Sequence, residues 1–196
     1  MRLILVRHGE TEENRKGIIQ GQMQGKLTEK GLKQAKRLAN RLKARKIDVI
    51  YSSDLARARD TAEEIAKLMP NVPFHLEKGL RERKLGELRG KTKEELGMSD
   101  RKFVIVFLNP KNGETRKDMY QRAQSFLKRI YKKHKKGTVL VVGHNGINKA
   151  LAAAVLEKGP SAIRELPNQK NTAITSFEIR GGRAERVKRN CTEHLE

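Results

Sequence analysis

Three short apolar runs constrain the fold of this chain most strongly. They are residues 2–6, the segment IDVIYSS at 47–53 and the segment TVLVVGH at 138–144. Segments with helical periodicity separate them, and their length suits strands that are buried on both faces. Strands that alternate with helices predict an α/β fold, a three-layer sandwich in which helices flank a mostly parallel central sheet.

The segments between the strands predict the helices. The stretch 27–45 predicts a helix with Thr28 as its N-cap. Its predicted apolar stripe consists of Leu32, Ala35, Leu38, Ala39 and Leu42. We expect further helices at 55–69, at 92 to about 98, at 117 to about 134 and at 145–156. The segments TAITSFEI and RAERVKRN flank Gly181 and Gly182 and predict a hairpin, whereas FVIVF at 103–107 fits either a strand or a helix.

The length of 196 residues predicts one domain, 1–196, with room for a small inserted cap. No apolar stretch is long enough to cross a membrane, so we expect neither an anchor nor a membrane partner. The single cysteine, Cys191, excludes an internal disulfide and favours a reducing, cytoplasmic location. A homodimer is left open.

The formal net charge of +21 raises nucleic-acid binding as one hypothesis. The basic residues are spread along the chain, and aromatic residues make up only 4% of it, so no stacking platform is predicted. A lysine-rich solvated surface with ion-pair networks explains the charge more simply. A positive field also attracts small phosphorylated molecules, which are the partner that we favour over nucleic acid.

Polar residues follow each of the three predicted strands. Residues 7–9 are Arg-His-Gly, residues 52–53 are Ser-Ser, and residues 143–145 are Gly-His-Asn. Because ligands bind beyond the carboxyl ends of parallel strands, we expect these residues to meet at one edge of the sheet.

Together these side chains suit phosphoryl transfer. A histidine can attack phosphorus and form a phosphohistidine, and the charge on the transferring group requires cations and donors around it. Arg7 adjoins His8, and Arg57 lies in the first turn of the helix after the second strand. The amide of Asn145 can add a helix N-terminus to the anion site. We expect Gly9 and Gly143 to allow close approach of the backbone.

Six segments, in order, resemble the histidine phosphatase superfamily, the phosphoglycerate-mutase-like proteins. The stretch LVRHGETEEN resembles the signature of this family, and QGQMQGKLTEKGLKQA resembles the segment that follows it. YSSDLARARDTAE is similar to the second arginine motif, and LRERKLGELRG to the loop that bears the acid. NGETRKDMYQRAQSFL and VLVVGHNGINKA resemble the later helix and the second histidine motif.

The resemblance implies a role for each matching residue. It implies that His8 is the nucleophile, that Arg7, Arg57 and His144 hold the phosphoryl oxygens, and that Glu82 protonates the leaving oxygen. Phosphate or substrate contacts are implied for Asn14, Gln20, Gly21, Asn145 and Lys93. The reasoning from the residues alone does not select Glu82 from the other acidic side chains. No metal or cofactor is expected, since no close histidine pair has metal-ligand spacing.

Within the family, we favour a phosphatase that acts on a small phosphorylated metabolite, and the resemblance implies a cap insertion at about 91–115 that sets the substrate. The segment between Glu82 and His144 is short, whereas family mutases carry a much longer insertion there. Two features favour the alternative, a bisphosphoglycerate-dependent phosphoglycerate mutase: Leu88 stands where family phosphatases often have tryptophan, and Lys93 where mutases place a substrate-binding lysine. A non-catalytic phosphate- or nucleic-acid-binding protein on this scaffold is a third hypothesis, and the intact catalytic set argues against it.

Overall fold

A computed structural model describes residues 1–97, 99, 107 and 109–196. Its sheet has six strands in these residues, in the order β3-β2-β4-β1-β5-β6. The strands are β1 (Arg2–Arg7), β2 (Val49–Ser52), β3 (Phe74–Leu76), β4 (Thr138–Gly143), β5 (Ile174–Arg180) and β6 (Arg183–Cys191). β1, β2, β3 and β4 are mutually parallel, and β5 and β6 extend the sheet as antiparallel strands. The prediction of a mostly parallel α/β sheet is confirmed.

Helices cover both faces of the sheet. They are α1 (Glu12–Arg15), α2 (Glu29–Leu42), α3 (Ala56–Lys67), α4 (Arg116–Lys133), α5 (Asn145–Val155) and α6 (Ala162–Glu165). Short 3₁₀ turns lie at Lys78–Leu80, Gly86–Leu88 and Glu193–Leu195. The predicted helices at 27–45, 55–69, 117–134 and 145–156 therefore form, with ends shifted by a few residues.

The alternation of side chains along the strands builds two apolar cores. In β1, Leu3 and Leu5 pack with residues of α4 and α5, whereas Ile4 and Val6 pack on the other face with α2 and α3. Successive side chains of a strand point to opposite faces, so a continuously apolar strand must be covered on both sides. The three-layer arrangement follows from this requirement.

One residue of the predicted apolar stripe of α2 is placed differently. Leu32 is 39% exposed, and Gly31 takes the buried position beside it. A Cβ atom added to Gly31 would lie 2.0 Å from the carbonyl oxygen of Glu10. The close approach of the 9–10 backbone thus requires glycine on the inner face and turns Leu32 outward.

The predicted helix at 92–98 is wrong where it is described. Residues 93–97 form turns. The carboxylate of Glu95 accepts from the backbone amide of Thr92, and the hydroxyl of Thr92 accepts from the backbone amide of Glu95. These reciprocal bonds form a capping box, which would favour a helix, but in the described residues only a single turn precedes Gly97, where φ is +54° and the turn ends. The end of this segment at Met98, most of FVIVF and much of the predicted cap at 91–115 lie outside the described residues.

The C-terminal hairpin forms as predicted. Gly181 and Gly182 connect β5 to β6, with φ of +54° and +79°. Two consecutive positive φ angles match the tight turn that joins twisted antiparallel strands, and glycine adopts them without steric cost. In the described part of the chain, no helix is both long and apolar enough to cross a membrane.

Candidate active site

The predicted strand-end residues meet at one edge of the sheet. Arg7 is in register with Gly143 across β1 and β4, so His8 and His144 follow their strands side by side. Their ring centroids are 5.2 Å apart. A cavity of about 410 Å³ opens at this edge, within the range of roughly 300–1,000 Å³ that small-molecule sites occupy.

His8 is held as a neutral imidazole. Its Nδ1 lies 2.6 Å from the carbonyl oxygen of Gly9, which can only accept, so the proton sits on Nδ1. Its Nε2 accepts from Nε of Arg57 at 3.2 Å. Burial lowers the pKa of His8 well below its usual value, and the charges of Arg57 and Arg7 lower it further. Nε2 therefore carries a lone pair at neutral pH.

Arg57 is fixed by the loop before α2. Its guanidinium donates to the carbonyl oxygen of Gly21 at 2.9 Å and to those of Met23 and Gln24. Burial lowers its pKa to about 10, against the opposing effect of the Glu82 and Glu13 carboxylates. A guanidinium with this pKa stays protonated at neutral pH, so it presents a fixed positive charge to His8.

Arg7 reaches the cavity from the end of β1. Nη1 donates to the carbonyl oxygen of Gln169 at 2.7 Å. Its Nε is buried and has no hydrogen-bond partner among the described residues. Burial lowers the pKa of Arg7, and the charge of Glu82 opposes this effect. A buried donor that is left unpaired is costly, so this nitrogen suits an anionic ligand.

His144 packs against His8 and does not line the cavity. Its Nε2 lies 2.9 Å from the hydroxyl of Ser53, which already accepts from the amide of Leu55. The hydroxyl proton of Ser53 can thus go to Nε2, which places the proton of His144 on Nδ1. That Nδ1 is buried without a partner in the described part of the chain. Burial, followed by the charge of Arg57, lowers the pKa of His144 well below its usual value.

Glu82 caps the helix that follows His144. Its carboxylate accepts from the amide of Gly146 at 2.9 Å and from that of Ile147 at 3.2 Å, and also from the amide of Arg83. A Cβ added to Gly146 would lie 2.4 Å from Oε1 of Glu82. The amides in the first turn of α5 thus bind the carboxylate of Glu82 at the cavity wall. The sequence had led us to expect that this helix N-terminus would bind the phosphate of the substrate.

Four of the five predicted substrate contacts reach the cavity, namely Asn14, Gln20, Gly21 and Asn145. Nε2 of Gln20 donates to Thr11, and its buried Oε1 has no partner among the described residues. Lys93 is exposed and lines a separate shallow depression. Because residues 93–97 form surface turns, the predicted contact of Lys93 with substrate gains no support.

The strand-end glycines serve the packing of the protein itself. A Cβ on Gly9 would lie 2.5 Å from the carbonyl oxygen of Gly31, and one on Gly143 would lie 2.6 Å from Oδ1 of Asn148. Both contacts are with atoms of the protein itself, so the close approach that these two glycines allow is that of neighbouring protein groups.

Sequence reasoning missed several residues of the cavity wall. They are Arg83, Phe107, Arg116, Gly146, Lys149 and Arg164. Lys149 carried a usable signal, because it follows Asn145 by one helical turn on α5 and so shares its face. Arg116 and Arg164 belong to distant segments, and nothing local in the sequence links them to His8.

Comparison with known proteins agrees with this geometry. The model of the histidine phosphatase superfamily (branch 1) matches residues 3–192. Phosphoglycerate mutase-like protein 4 of Arabidopsis thaliana is 34% identical over 92% of this chain and 80% of its own length. A metal-independent phosphoserine phosphatase of the same plant is 39% identical over 76% of this chain and 66% of its own length.

A solved structure of a mutant phosphoserine phosphatase from Entamoeba histolytica, in complex with phosphoserine, superposes with a TM-score of 0.85. It is 33% identical, and the match covers 100% of this chain and 99% of that one. The similarity thus extends over the sheet, both helical layers and the strand-end residues. The chain belongs to the histidine phosphatase superfamily.

Proposed function

We propose that this protein is a phosphatase that hydrolyses small phosphomonoesters through a phosphohistidine at His8. One observation carries the proposal: a buried neutral imidazole turns its Nε2 lone pair toward a fixed guanidinium at the edge of a cavity. A nucleophile beside preset positive charge is what transfer of a phosphoryl group requires. The relatives named as phosphoserine phosphatases support hydrolysis.

In the first step, Nε2 of His8 gives up the hydrogen bond that it accepts from Nε of Arg57, and its lone pair attacks phosphorus while the bond from phosphorus to the ester oxygen breaks. Arg7 and Arg57 stabilise the negative charge on the equatorial oxygens, and Nδ1–H of His144 adds a donor behind His8. Glu82 enters this step as the carboxylic acid, having taken up a proton from solvent, and passes that proton to the leaving oxygen. The products of this step are an alcohol and phosphohistidine.

In the second step, water attacks the phosphorus of phosphohistidine. Glu82, now a carboxylate, takes a proton from this water, and the phosphorus–nitrogen bond breaks and returns its electron pair to Nε2. Inorganic phosphate is released and the enzyme is regenerated. Three polar side chains of the cavity wall orient the substrate in this proposal, namely Asn14, Gln20 and Asn145.

The proposal extends to the parts of the chain around this site. Phe107 falls within the segment 91–115 and lines the cavity, which supports a role for this segment as a cap that selects substrate. The size of the cavity favours a small metabolite over nucleic acid. A single domain, a cytoplasmic location and a homodimer stay predictions from the sequence.

Hydrolysis of a panel of phosphorylated metabolites, with EDTA present throughout, tests the proposal. Both inorganic phosphate and isomerised product are measured. We expect phosphate release that EDTA does not reduce, because Arg7 and Arg57 supply the charge that a metal would otherwise supply. Isomerised product without phosphate release would identify a mutase, and loss of activity that a divalent cation restores would overturn metal independence.

A further inference from the structure

The outer part of the cavity carries three cations from three different elements. Arg116 begins α4, Lys149 lies on α5, and Arg164 lies on α6. We call them the outer cations. Arg116 and Lys149 are half-buried, and Arg164 is exposed. They line the same cavity as His8, although nothing in the two proposed chemical steps uses them.

The outer cations lack acidic partners in the described part of the chain. None of them forms an ion pair there, and the contact of Lys149 is with the amide oxygen of Asn168 at 3.4 Å. Other partly buried arginines of the same region are paired, as Arg122 is with Glu114. The lack of acidic partners therefore distinguishes the outer cations from their neighbours.

The outer cations also lie close enough to repel one another. Burial lowers the pKa of Arg116, and so does the charge of Arg164. Burial and the charge of Arg116 lower the pKa of Lys149, while Glu82 acts in the opposite direction. Bringing like charges together at a half-buried site is unfavourable unless an anion joins them.

The cavity therefore has two positive ends with the Glu82 carboxylate between them. At one end, Arg7 and Arg57 lie beside His8, where the reacting phosphoryl group must bind. We propose that the outer cations bind a second anionic group of the substrate, so that the enzyme prefers phosphomonoesters that also carry a carboxylate or a second phosphate. This inference rests on the proposed function and narrows its substrate class.

A site that combines arginine and lysine can bind either a carboxylate or a phosphate. A guanidinium binds a carboxylate or a phosphate through two parallel hydrogen bonds, and an ammonium adds a compact charge. Substrate pairs that differ only in the second anion distinguish the two. Phosphoserine against phosphoethanolamine tests a carboxylate, and fructose 1,6-bisphosphate against fructose 6-phosphate tests a second phosphate.

The quantity to measure is the ratio of kcat/KM within each pair. We expect a ratio well above one in the native enzyme for at least one pair. Arg116→Gln and Lys149→Gln should each reduce that ratio by roughly tenfold to a hundredfold, the effect of losing a charged hydrogen bond. Arg164→Gln should reduce it less, because Arg164 is exposed. Lys128→Gln, which removes an exposed cation from α4, should leave the ratio unchanged.

A ratio near one for both pairs in an enzyme that hydrolyses them would overturn the inference, as would ratios that survive the Arg116→Gln and Lys149→Gln variants. Titration calorimetry with His8→Ala separates this result from failure of the proposed function. Even without turnover, that variant should bind the doubly anionic member of at least one pair more tightly than the member that lacks the second anion, and adding Lys149→Gln should remove the difference. Equal binding of the two members within both pairs by His8→Ala would also contradict the inference.

Discussion

The two ends of the cavity are built in opposite ways. At the inner end, His8 and Arg57 are almost fully buried, as is His144, which packs against His8 from outside the cavity, and all three hold hydrogen bonds to neighbouring groups. At the outer end, Arg116, Lys149 and Arg164 are half-buried or exposed and lack acidic partners in the described part of the chain. The inner end is therefore ordered before substrate arrives, whereas the outer end depends on the substrate for its counter-charge.

This difference assigns the two ends different roles. Donors and charges that are fixed in advance need no reorganisation during the reaction, and they act strongly because water is excluded. Cations that face solvent are screened by salt and contribute to binding more than to chemistry. We expect changes at the inner end to lower the rate for every substrate and changes at the outer end to alter the preference among substrates.

The largest expected effect is the loss of the nucleophile. His8→Ala should lower kcat by about a thousandfold or more for all phosphomonoesters, because no other group near the cavity replaces a covalent nucleophile. Steady-state phosphate release measures this loss. His75→Ala, which removes an exposed histidine from β3, is the matched control and should retain native turnover. Comparable losses of kcat in the two variants would mean that turnover does not depend specifically on His8.

The next effect depends on the leaving group. An alkoxide is a strong base that needs a proton as it departs, whereas a nitrophenolate needs far less help. Glu82→Gln should therefore slow phosphoenzyme formation by about a hundredfold or more for alkyl phosphates and much less for nitrophenyl phosphate. Pre-steady-state bursts give the two rates.

The control for this prediction is Glu87→Gln, at an exposed carboxylate that pairs with Lys111 at 3.4 Å. It should leave both bursts unchanged. In the Glu82→Gln variant, phosphohistidine should also accumulate with nitrophenyl phosphate, because water is no longer activated. Equal burst losses for the two leaving groups would assign the acid role to another group.

Gly146→Ala tests the positioning of Glu82 without changing a charge. The added Cβ would lie 2.4 Å from Oε1 of Glu82, so the carboxylate must move. We expect a loss of up to about a hundredfold for alkyl phosphates, as small misplacements of catalytic groups produce, and a smaller loss for nitrophenyl phosphate. Gly159→Ala is the control, because its nearest neighbour would be Oγ of Ser161 at 4.0 Å. Identical losses for both substrates would indicate general disruption.

The buried histidines also predict how stability depends on pH. His8 and His144 have pKa values well below 6.5 in the folded protein, so below pH 6.5 the unfolded chain binds more protons. The stability present above pH 6.5 should therefore fall as the pH decreases, and each histidine adds a slope of about 1.4 kcal/mol per pH unit.

Urea unfolding between pH 6.5 and pH 5 measures this slope. His8→Asn should reduce it by about 1.4 kcal/mol per pH unit, the contribution of one histidine. Lys149→Gln should leave it unchanged, since the lysine is charged in both states over this range. An undiminished slope in His8→Asn would mean that this imidazole titrates normally in the folded protein.

The inner end of the cavity could be predicted because its residues follow strands. A parallel sheet brings the carboxyl ends of β1, β2 and β4 to one edge, so His8, Ser53 and His144 become neighbours whatever the loops do. Glu82 could not be selected in this way. Its position depends on contacts with the amides of Gly146 and Ile147, which are distant in sequence, and only the resemblance to a family identified it.

The outer end was missed for the same physical reason. Arg116, Lys149 and Arg164 come from three helices whose relative placement depends on packing across the core, and each alone resembles an ordinary surface charge in a chain with a net charge of +21. The error at Leu32 is of the same kind, because Gly31 is required by the backbone at Glu10. Periodicity predicts which face of a helix is apolar but not what approaches it.

Identification of the phosphorylated residue tests the central proposal most directly. The enzyme is mixed with nitrophenyl phosphate, quenched in alkali within the burst, digested and analysed by mass spectrometry. Glu82→Gln, in which the intermediate should accumulate, is run in parallel. We predict an acid-labile, base-stable phosphate on the peptide that contains His8, absent from His8→Ala. Phosphate on His144, or a phosphoenzyme that persists in His8→Ala, would contradict the assignment of His8 as the nucleophile.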